Sequence, residues 1–278
     1  MLDQIVLTYC ICDEVVKIFN IRDDIQCKMT SAEVITFAIM SARFYGCNYK
    51  LCRLVSRTQQ YFRHILSHSQ LVRRVLDIPH DVWNMVFFAL KILLRQGSKN
   101  DCFVIDSFPV KAYENHKSFR AKIFSEKIYH GYTASKKQYF FGIKVHMIVD
   151  TDGIPIEFTL TPGSVSDIKA LQENFSLDLP QNSVLLGDAA YTCYSLEDML
   201  LNSAKINLIV KRKSNHRRQN LPEEEALLSF FRNGIETVFS SITSRMPRYI
   251  KARTEKGFCL KIFLFIIAYM MHLFCPLT

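Results

Sequence analysis

Three acidic residues stand where their side chains could do chemistry. Asp106 follows the apolar run 103–105, Asp188 follows the apolar run 184–187, and Glu236 lies on a predicted long helix. An apolar strand that ends in an acid delivers the carboxylate to an edge of a sheet. Like charges repel one another unless a cation neutralises them, and carboxylate oxygens are the ligands that Mg²⁺ prefers. A cluster of these three acids therefore predicts a divalent-metal site.

Each of these acids also has an ordinary structural explanation. Asp106 and Asp188 could be turn or N-cap residues after a strand, and Glu236 could pair with Arg232 one helical turn earlier. Asp167 is a fourth candidate, which could act as an accessory acid or replace Asp188. Its position in a loop before a predicted helix favours an N-cap instead. The order of the three acids along the chain is therefore more informative than any one of them.

Short strands and helices are predicted to position these acids. The pattern predicts strands over 102–106, 139–149, 154–161, 183–187 and 206–210, and helices over 168–175, over 196–204 and from Pro222 onward. The pair Asp152-Gly153 supplies the positive φ angles of a tight turn, so we expect a hairpin there. This order of elements predicts a mixed α/β sheet with helices packed on it.

The first hundred residues predict a helical N-terminal region. Thr30 and Glu33 form a capping box before an apolar run, and helices are predicted near 70–76 and 82–94. We therefore expect a helical region over 1–98 and a second region over 99–278. Five arginines of the first region could contact DNA, although no helix-turn-helix pattern is evident; they are Arg53, Arg57, Arg63, Arg73 and Arg74.

The charge of the chain favours a polyanionic partner. Thirty-five Lys and Arg stand against 26 Asp and Glu, which leaves a formal charge of +9, and nucleic acid is the simplest partner for such an excess. Several of the basic residues form a run without an intervening acid, namely Lys205, Lys211, Arg212, Lys213, Arg217 and Arg218. Solvated stretches of charge are the ordinary alternative.

The cysteines and the apolar C-terminal segment bear on the cellular location. Nine cysteines occur without a C-x-x-C pair, which argues against a zinc site and favours reduced thiols in the cytoplasm. The apolar segment 258–274 is shorter than the roughly 20 residues of a membrane span, and Lys261 and His272 interrupt it. We expect a buried helix there, with an interfacial or dimer-forming helix as the alternative, and no membrane partner.

Several short segments together resemble bacterial insertion-sequence transposases of the DDE class, most closely the insertion-sequence family numbered nine-eight-two. The resemblance covers roughly residue 103 to the C-terminus. It is carried by Val104-Ile105-Asp106-Ser107-Phe108-Pro109-Val110, by Gly131-Tyr132-Thr133-Ala134-Ser135-Lys136-Lys137, by 139–146, by Pro162-Gly163-Ser164-Val165-Ser166-Asp167, by Leu186-Gly187-Asp188-Ala189-Ala190-Tyr191 and by 232–239.

This resemblance implies a ribonuclease H-like fold in which Asp106, Asp188 and Glu236 hold two Mg²⁺ or Mn²⁺ ions. It implies that water first cuts double-stranded DNA at the element's end and that the freed 3′-hydroxyl then attacks target DNA. Because two element ends must be paired, a homodimer or a higher assembly on DNA is expected. Related transposases carry a Tyr, Arg, Glu, Lys signature on the last helix, and here only Arg232 and Glu236 match it.

Basic residues near these motifs are the candidate DNA contacts. Lys144 and His146 share one face of a predicted strand, which could approach DNA or metal or could be a solvated face. Arg232 could orient Glu236 or meet a phosphate. The candidate set is Lys136, Lys137, Lys144, Lys211, Arg212, Lys213, Arg217, Arg218 and Arg232.

Three other classes of protein compete with this interpretation. A ribonuclease H-like nuclease without strand transfer would use the same acids and metals. An inactive descendant would bind DNA without cutting it. A non-catalytic helical or membrane-associated protein would leave the ordered acids and the clustered bases unexplained.

Overall fold

The computed structural model describes residues 1–98, 100–113, 123–133 and 137–276. The chain forms two compact units: unit 1 contains Met1–Gln96 together with Ser241–Thr278, and unit 2 contains Gly97–Ser240. Unit 2 begins close to the predicted boundary at residue 98. The segment after Ser240, predicted to share a region with the acids, groups with the N-terminal helices instead.

The helices are assigned in chain order. They are α1 (Leu2–Ile18), α2 (Ser31–Tyr45), α3 (Tyr49–Thr58), α4 (His68–Asp77), α5 (His80–Leu94), α6 (Asp167–Asn174), α7 (Tyr194–Met199), α8 (Pro222–Ser244) and α9 (Glu255–Phe274). The predicted capping box is confirmed at the start of α2. The Thr30 hydroxyl accepts a hydrogen bond from the Glu33 amide at 3.2 Å, and the Glu33 carboxylate accepts one from the Thr30 amide at 2.7 Å.

Helix α9 explains why the C-terminal segment groups with unit 1. It begins at Glu255, three residues before the apolar run, and so reaches 20 residues. By length and composition alone such a helix could cross a membrane, but 61% of its apolar window is buried inside the protein. It packs against α2 and α5, because the apolar surface that it carries around its whole circumference must be removed from water.

Unit 2 is built on a six-stranded mixed sheet flanked by helices. Its strands are β1 (Cys102–Tyr113), β2 (His130–Thr133), β3 (Gln138–Asp150), β4 (Pro155–Pro162), β5 (Val184–Gly187) and β6 (Asn207–Val210). The order is β2-β3-β1-β5-β6, and β4 pairs with β3. Pairs among β1, β2, β3 and β4 are antiparallel, whereas β1 with β5 and β5 with β6 are parallel. The mixed sheet is thus confirmed, and β2 was not predicted.

The predicted hairpin is confirmed between β3 and β4. Gly153 has a φ of +77°, which favours glycine. The Asp150 carboxylate accepts hydrogen bonds from the amides of Asp152 at 3.0 Å and Ile154 at 2.9 Å. These bonds fix the loop and, through it, the register in which β4 returns along β3.

Residues of β1 alternate between two apolar layers of unit 2. Phe103 and Ile105 belong to a core cluster that also contains Leu171 of α6 and Leu196 of α7. Phe108 lies on the other face of the strand, where its ring centroid is 4.6 Å from that of Phe239 on α8. Helices therefore cover both faces of the sheet, and β1 lies between them.

Candidate functional site

The pairing of β1 with β5 brings Asp106 and Asp188 together. Ile105 pairs with Gly187 in parallel register, so the next residue on each chain segment is one of the two acids. Strand β5 ends at Gly187, but β1 continues to Tyr113 because β3 pairs with it along that length. The prediction that Asp106 ends its strand is therefore wrong. Only β5 ends at this point.

Backbone amides hold one oxygen of each acid. Oδ1 of Asp188 accepts a hydrogen bond from the Ala190 amide at 2.8 Å and caps the short 3-10 turn 189–191, as the ordinary structural explanation predicted. Oδ1 of Asp106 accepts one from the Ser107 amide at 2.7 Å. These bonds orient both carboxylates without neutralising their charge.

The surroundings of the pair disfavour the charged carboxylates. Burial raises the pKa of Asp106 to about 7, and the negative charges of Asp188 and Asp167 add to this effect. The pKa of Asp188 is raised as well, first by desolvation and then by the charge of Asp167. Charged carboxylates that are partly desolvated and close together are what a bound cation would stabilise.

Asp167 forms the centre of a network beside this pair. Its Oδ1 accepts a hydrogen bond from the Ser107 hydroxyl at 2.8 Å and lies 3.3 Å from Nζ of Lys144 and 3.4 Å from Nδ1 of His146. The prediction that Asp167 is an N-cap is wrong, because α6 begins at Asp167 and its N-cap is Ser166. The carboxylate bonds to residues of β1 and β3 instead.

The two candidate residues of β3 face this network rather than solvent. The His146 side chain is 0% exposed, and its Nε2 lies 2.9 Å from the Thr161 hydroxyl. Burial lowers the pKa of His146, which keeps the ring neutral at neutral pH. Lys144 also donates a hydrogen bond to the Val165 carbonyl at 2.9 Å. The solvated-face interpretation is therefore wrong for His146, and the Lys144 ammonium neutralises Asp167.

Tyr191 is a neighbour of the acids that sequence reasoning did not single out. Its side chain is fully buried. Burial raises the pKa of its hydroxyl well above the usual value, and the charges of Asp167, Asp106 and Asp188 raise it further. Its spacing of three residues from Asp188 was the available signal, because the turn 189–191 brings the ring back against Gly187, the residue before the acid.

The Glu236 carboxylate does not form a cluster with Asp106 and Asp188. Its Oε1 accepts a hydrogen bond from Nε of Arg232 at 3.2 Å, and both side chains are more than half exposed. The positive charge of Arg232 partly offsets the raised pKa of both Asp106 and Asp188, so this end of α8 acts on the pair electrostatically. Within the described residues, no three Asp, Glu, His or Cys side chains converge closely enough to hold a metal ion.

The basic candidates divide into paired and exposed residues. Arg212 meets Glu197 through two bonds of 3.0 and 2.5 Å, with both side chains less than a tenth exposed. Arg218 meets Asp198 through bonds of 2.7 and 2.8 Å at the surface. The exposed candidates without a described ion pair are Lys137, Lys211, Lys213 and Arg217, whereas Arg232 is exposed and pairs with Glu236; Lys136 lies outside the described residues.

The segment that carries these acids matches a known protein family. The family described as "Transposase DDE domain" matches residues 97–271, a segment that starts at the first residue of unit 2 and includes Asp106, Asp167, Asp188 and Glu236. The chain belongs to this family of transposases. No curated protein and no solved structure matches it.

Proposed function

We propose that this transposase is a divalent-metal-dependent DNA strand transferase that cuts at the end of an insertion element and joins the freed 3′-hydroxyl to target DNA. We further propose that unit 2 has a ribonuclease H-like fold and that the chain belongs to the insertion-sequence family numbered nine-eight-two. The observation that carries the proposal is the β1–β5 register, which makes Asp106 and Asp188 neighbours within the segment that the family covers.

The donor set fits a hard divalent cation. Asp106 and Asp188 offer carboxylate oxygens, which Mg²⁺ and Mn²⁺ prefer, and both have a raised pKa that a cation would reverse. When bound, a pair of such ions would activate the attacking oxygen and stabilise the leaving oxygen. The chain itself orients each acid through one backbone amide, that of Ser107 or Ala190.

Glu236 completes the proposed acidic triad from α8. Its present partner, Arg232, also acts on Asp106 and Asp188 through its charge. In this proposal Arg232 either orients the Glu236 carboxylate or contacts a DNA phosphate, since a guanidinium can do both. Exchange of Glu236 for a phosphate as the partner of Arg232 would free the carboxylate for the metal.

The exposed basic residues are the proposed contacts to double-stranded DNA. Lys137, Lys211, Lys213 and Arg217 can meet phosphates without breaking a described ion pair. Lys144, Arg212 and Arg218 already hold carboxylates, so their proposed effect on DNA is indirect unless DNA displaces an acid. We also propose that two or more copies assemble on DNA in the cytoplasm, because both ends of an element must be brought together.

A cleavage and joining assay tests the proposal. Purified protein is incubated with a labelled duplex carrying a candidate element end and with a target plasmid, in Mg²⁺, in Mn²⁺ or in EDTA. We expect joined products that need the metal and that disappear in Asp106→Asn, Asp188→Asn and Glu236→Gln. Asp198→Asn, which changes an exposed acid of the same unit, is the matched control. Metal-dependent cutting without joining would favour a nuclease instead.

A further inference from the structure

A cavity of about 660 Å³ lies in unit 1, far along the chain from the acids. It is formed by the end of α3 and the loop that leads to α4. Three arginines line it, namely Arg53, Arg57 and Arg63, together with Gln60, Phe62, His64 and Ile65. A volume of this size lies in the range of about 300–1,000 Å³ that is usual for ligand sites.

The end of α3 shapes this cavity. The Tyr61 amide donates a hydrogen bond to the Ser56 carbonyl at 3.1 Å, and Gln60 takes a φ of +55°. This is the left-handed turn that commonly ends a helix and reverses the chain. The loop therefore folds back, so that arginines from the helix and from the loop line one cavity.

Contacts within unit 1 hold the loop in place. Nε of Arg53 donates a hydrogen bond to the Leu66 carbonyl at 2.7 Å, which ties the last turn of the loop to α3. The ring of Phe62 lies 6.3 Å from the ring of Phe37 in the core. The basic side chains are thus presented by an anchored segment.

The cavity carries positive charge that no acid in the described part of the chain neutralises. No carboxylate lines it, and Arg57 and Arg63 are exposed, with no ion pair to any residue that the structure describes. The pKa of His68 reflects the same excess of positive charge. It is lowered first by burial and then by the charges of Lys50, Lys261, Arg53 and Arg253. Arg212 and Arg218, by contrast, each hold an acid.

We infer that this cavity binds phosphate groups of the DNA backbone and so provides a DNA contact in unit 1 that is separate from the chemistry of unit 2. Guanidinium groups match phosphate oxygens in a two-pronged geometry, and an arginine without an acidic partner loses no ion pair on binding. Backbone contacts position DNA without reading its sequence. The inference rests on the proposed function only in taking DNA as the ligand.

Fluorescence anisotropy with labelled duplex DNA tests this inference on the full chain, in EDTA so that no cleavage occurs. We expect Arg57→Ala with Arg63→Ala to weaken binding by about tenfold for each arginine, equally for two unrelated sequences. The slope of log affinity against log salt concentration should fall by about 2. Arg53 is left intact because it holds Leu66.

Arg22→Ala is the matched control, because Arg22 is an exposed arginine in the loop between α1 and α2 that does not line the cavity. It should change affinity and salt slope much less than the double variant does. The double variant should also keep the wild-type unfolding midpoint, since both arginines are exposed. Wild-type affinity and wild-type salt slope in the double variant would overturn the inference.

Inorganic phosphate and ATP, tested as ligands, separate DNA from a free phosphate compound. Tight ATP or phosphate binding that the double variant abolishes, with DNA affinity unchanged, would also overturn the inference. The joining assay is independent of both results. Loss of DNA affinity in the double variant with no joining by the wild type would support the cavity and contradict the proposed function. DNA joining by the wild type, with unchanged DNA affinity in the double variant, would support the proposed function and contradict the cavity as a DNA contact.

Discussion

Two acid-rich regions of unit 2 differ in whether basic side chains neutralise their carboxylates. At the end of β5, Asp106 and Asp188 are neighbours, and in the described part of the chain neither forms an ion pair with a basic side chain. At α7, Glu197 and Asp198 are each held by an arginine fork. The arginines neutralise the acids at α7. At the end of β5, desolvation and mutual repulsion of the two carboxylates cost free energy, and a bound cation would remove this cost.

This difference helps to separate functional acids from structural ones. Asp167 is intermediate, because it lies beside the unpaired acids but is itself held by Lys144 and Ser107. A partly buried acid that the fold leaves without a cation is a candidate for metal binding, while an acid with a two-pronged arginine partner fixes neighbouring elements. Substitutions of the unpaired acids and of the arginines at α7 should therefore have different effects.

The largest effect is expected for the unpaired acids. Asp106→Asn or Asp188→Asn should lower the rate of metal-dependent DNA joining by about a thousandfold or more, because metal-ion stabilisation of the transition state is worth several kcal/mol. Single-turnover rates with a pre-cut element end measure this effect. Activity within tenfold of wild type in both variants would remove the functional distinction between the two regions.

The buried pair at α7 should matter for stability. Arg212→Ala leaves Glu197 charged and without its main partner, and we expect the free energy of unfolding to fall by about 3–5 kcal/mol. Arg218→Ala is the matched control at the surface and should leave stability unchanged within error. Urea unfolding measures both. Equal stability of the two variants, with DNA affinity lost in Arg212→Ala, would show that Arg212 serves DNA binding instead.

The opposite change in stability is expected at Asp106. The raised pKa means that the unfolded chain releases this proton near pH 4 while the folded chain keeps it to about pH 7. The native protein therefore loses stability as pH rises through this window. Without metal at pH 8, Asp106→Asn should be more stable than wild type by about 2–4 kcal/mol. The gain should disappear near pH 4, which urea unfolding at both pH values can check.

The smallest effect is expected at Gly234, which lies on α8 between Arg232 and Glu236. Apart from the backbone of α8 itself and the two chain neighbours, no described atom lies within 4 Å of the position that a Cβ would occupy there, so an alanine has space. Gly234→Ala should stabilise the helix by about 0.5–1 kcal/mol and leave DNA joining unchanged. A loss of joining would show that α8 must bend at Gly234 to bring Glu236 to the metal.

Features set by neighbours in the chain could be predicted from the sequence. The capping box at Thr30, the hairpin at Gly153 and the strand predicted over 139–149 are all confirmed. Each depends on residues within a few positions of one another, where backbone preferences and apolar periodicity decide the outcome. Asp106 and Asp188 were identified because each follows an apolar run.

Features set by distant residues could not be predicted in the same way. His146 is buried because Thr161 and Asp167, 15 and 21 residues away, close over it. Arg212 and Arg218 looked like members of one basic run, but their partners Glu197 and Asp198 lie on another element. A run of charge in sequence does not indicate which members will be neutralised by the fold.

Direct measurement of Mn²⁺ binding, by electron paramagnetic resonance or calorimetry, tests the central claim that Asp106 and Asp188 form the metal site. The wild-type chain should bind Mn²⁺ specifically, Asp198→Asn should bind it equally well, and Asp106→Asn combined with Asp188→Asn should lose the binding. Mn²⁺ affinity that is unchanged in the double variant, in protein that remains folded, would contradict the account.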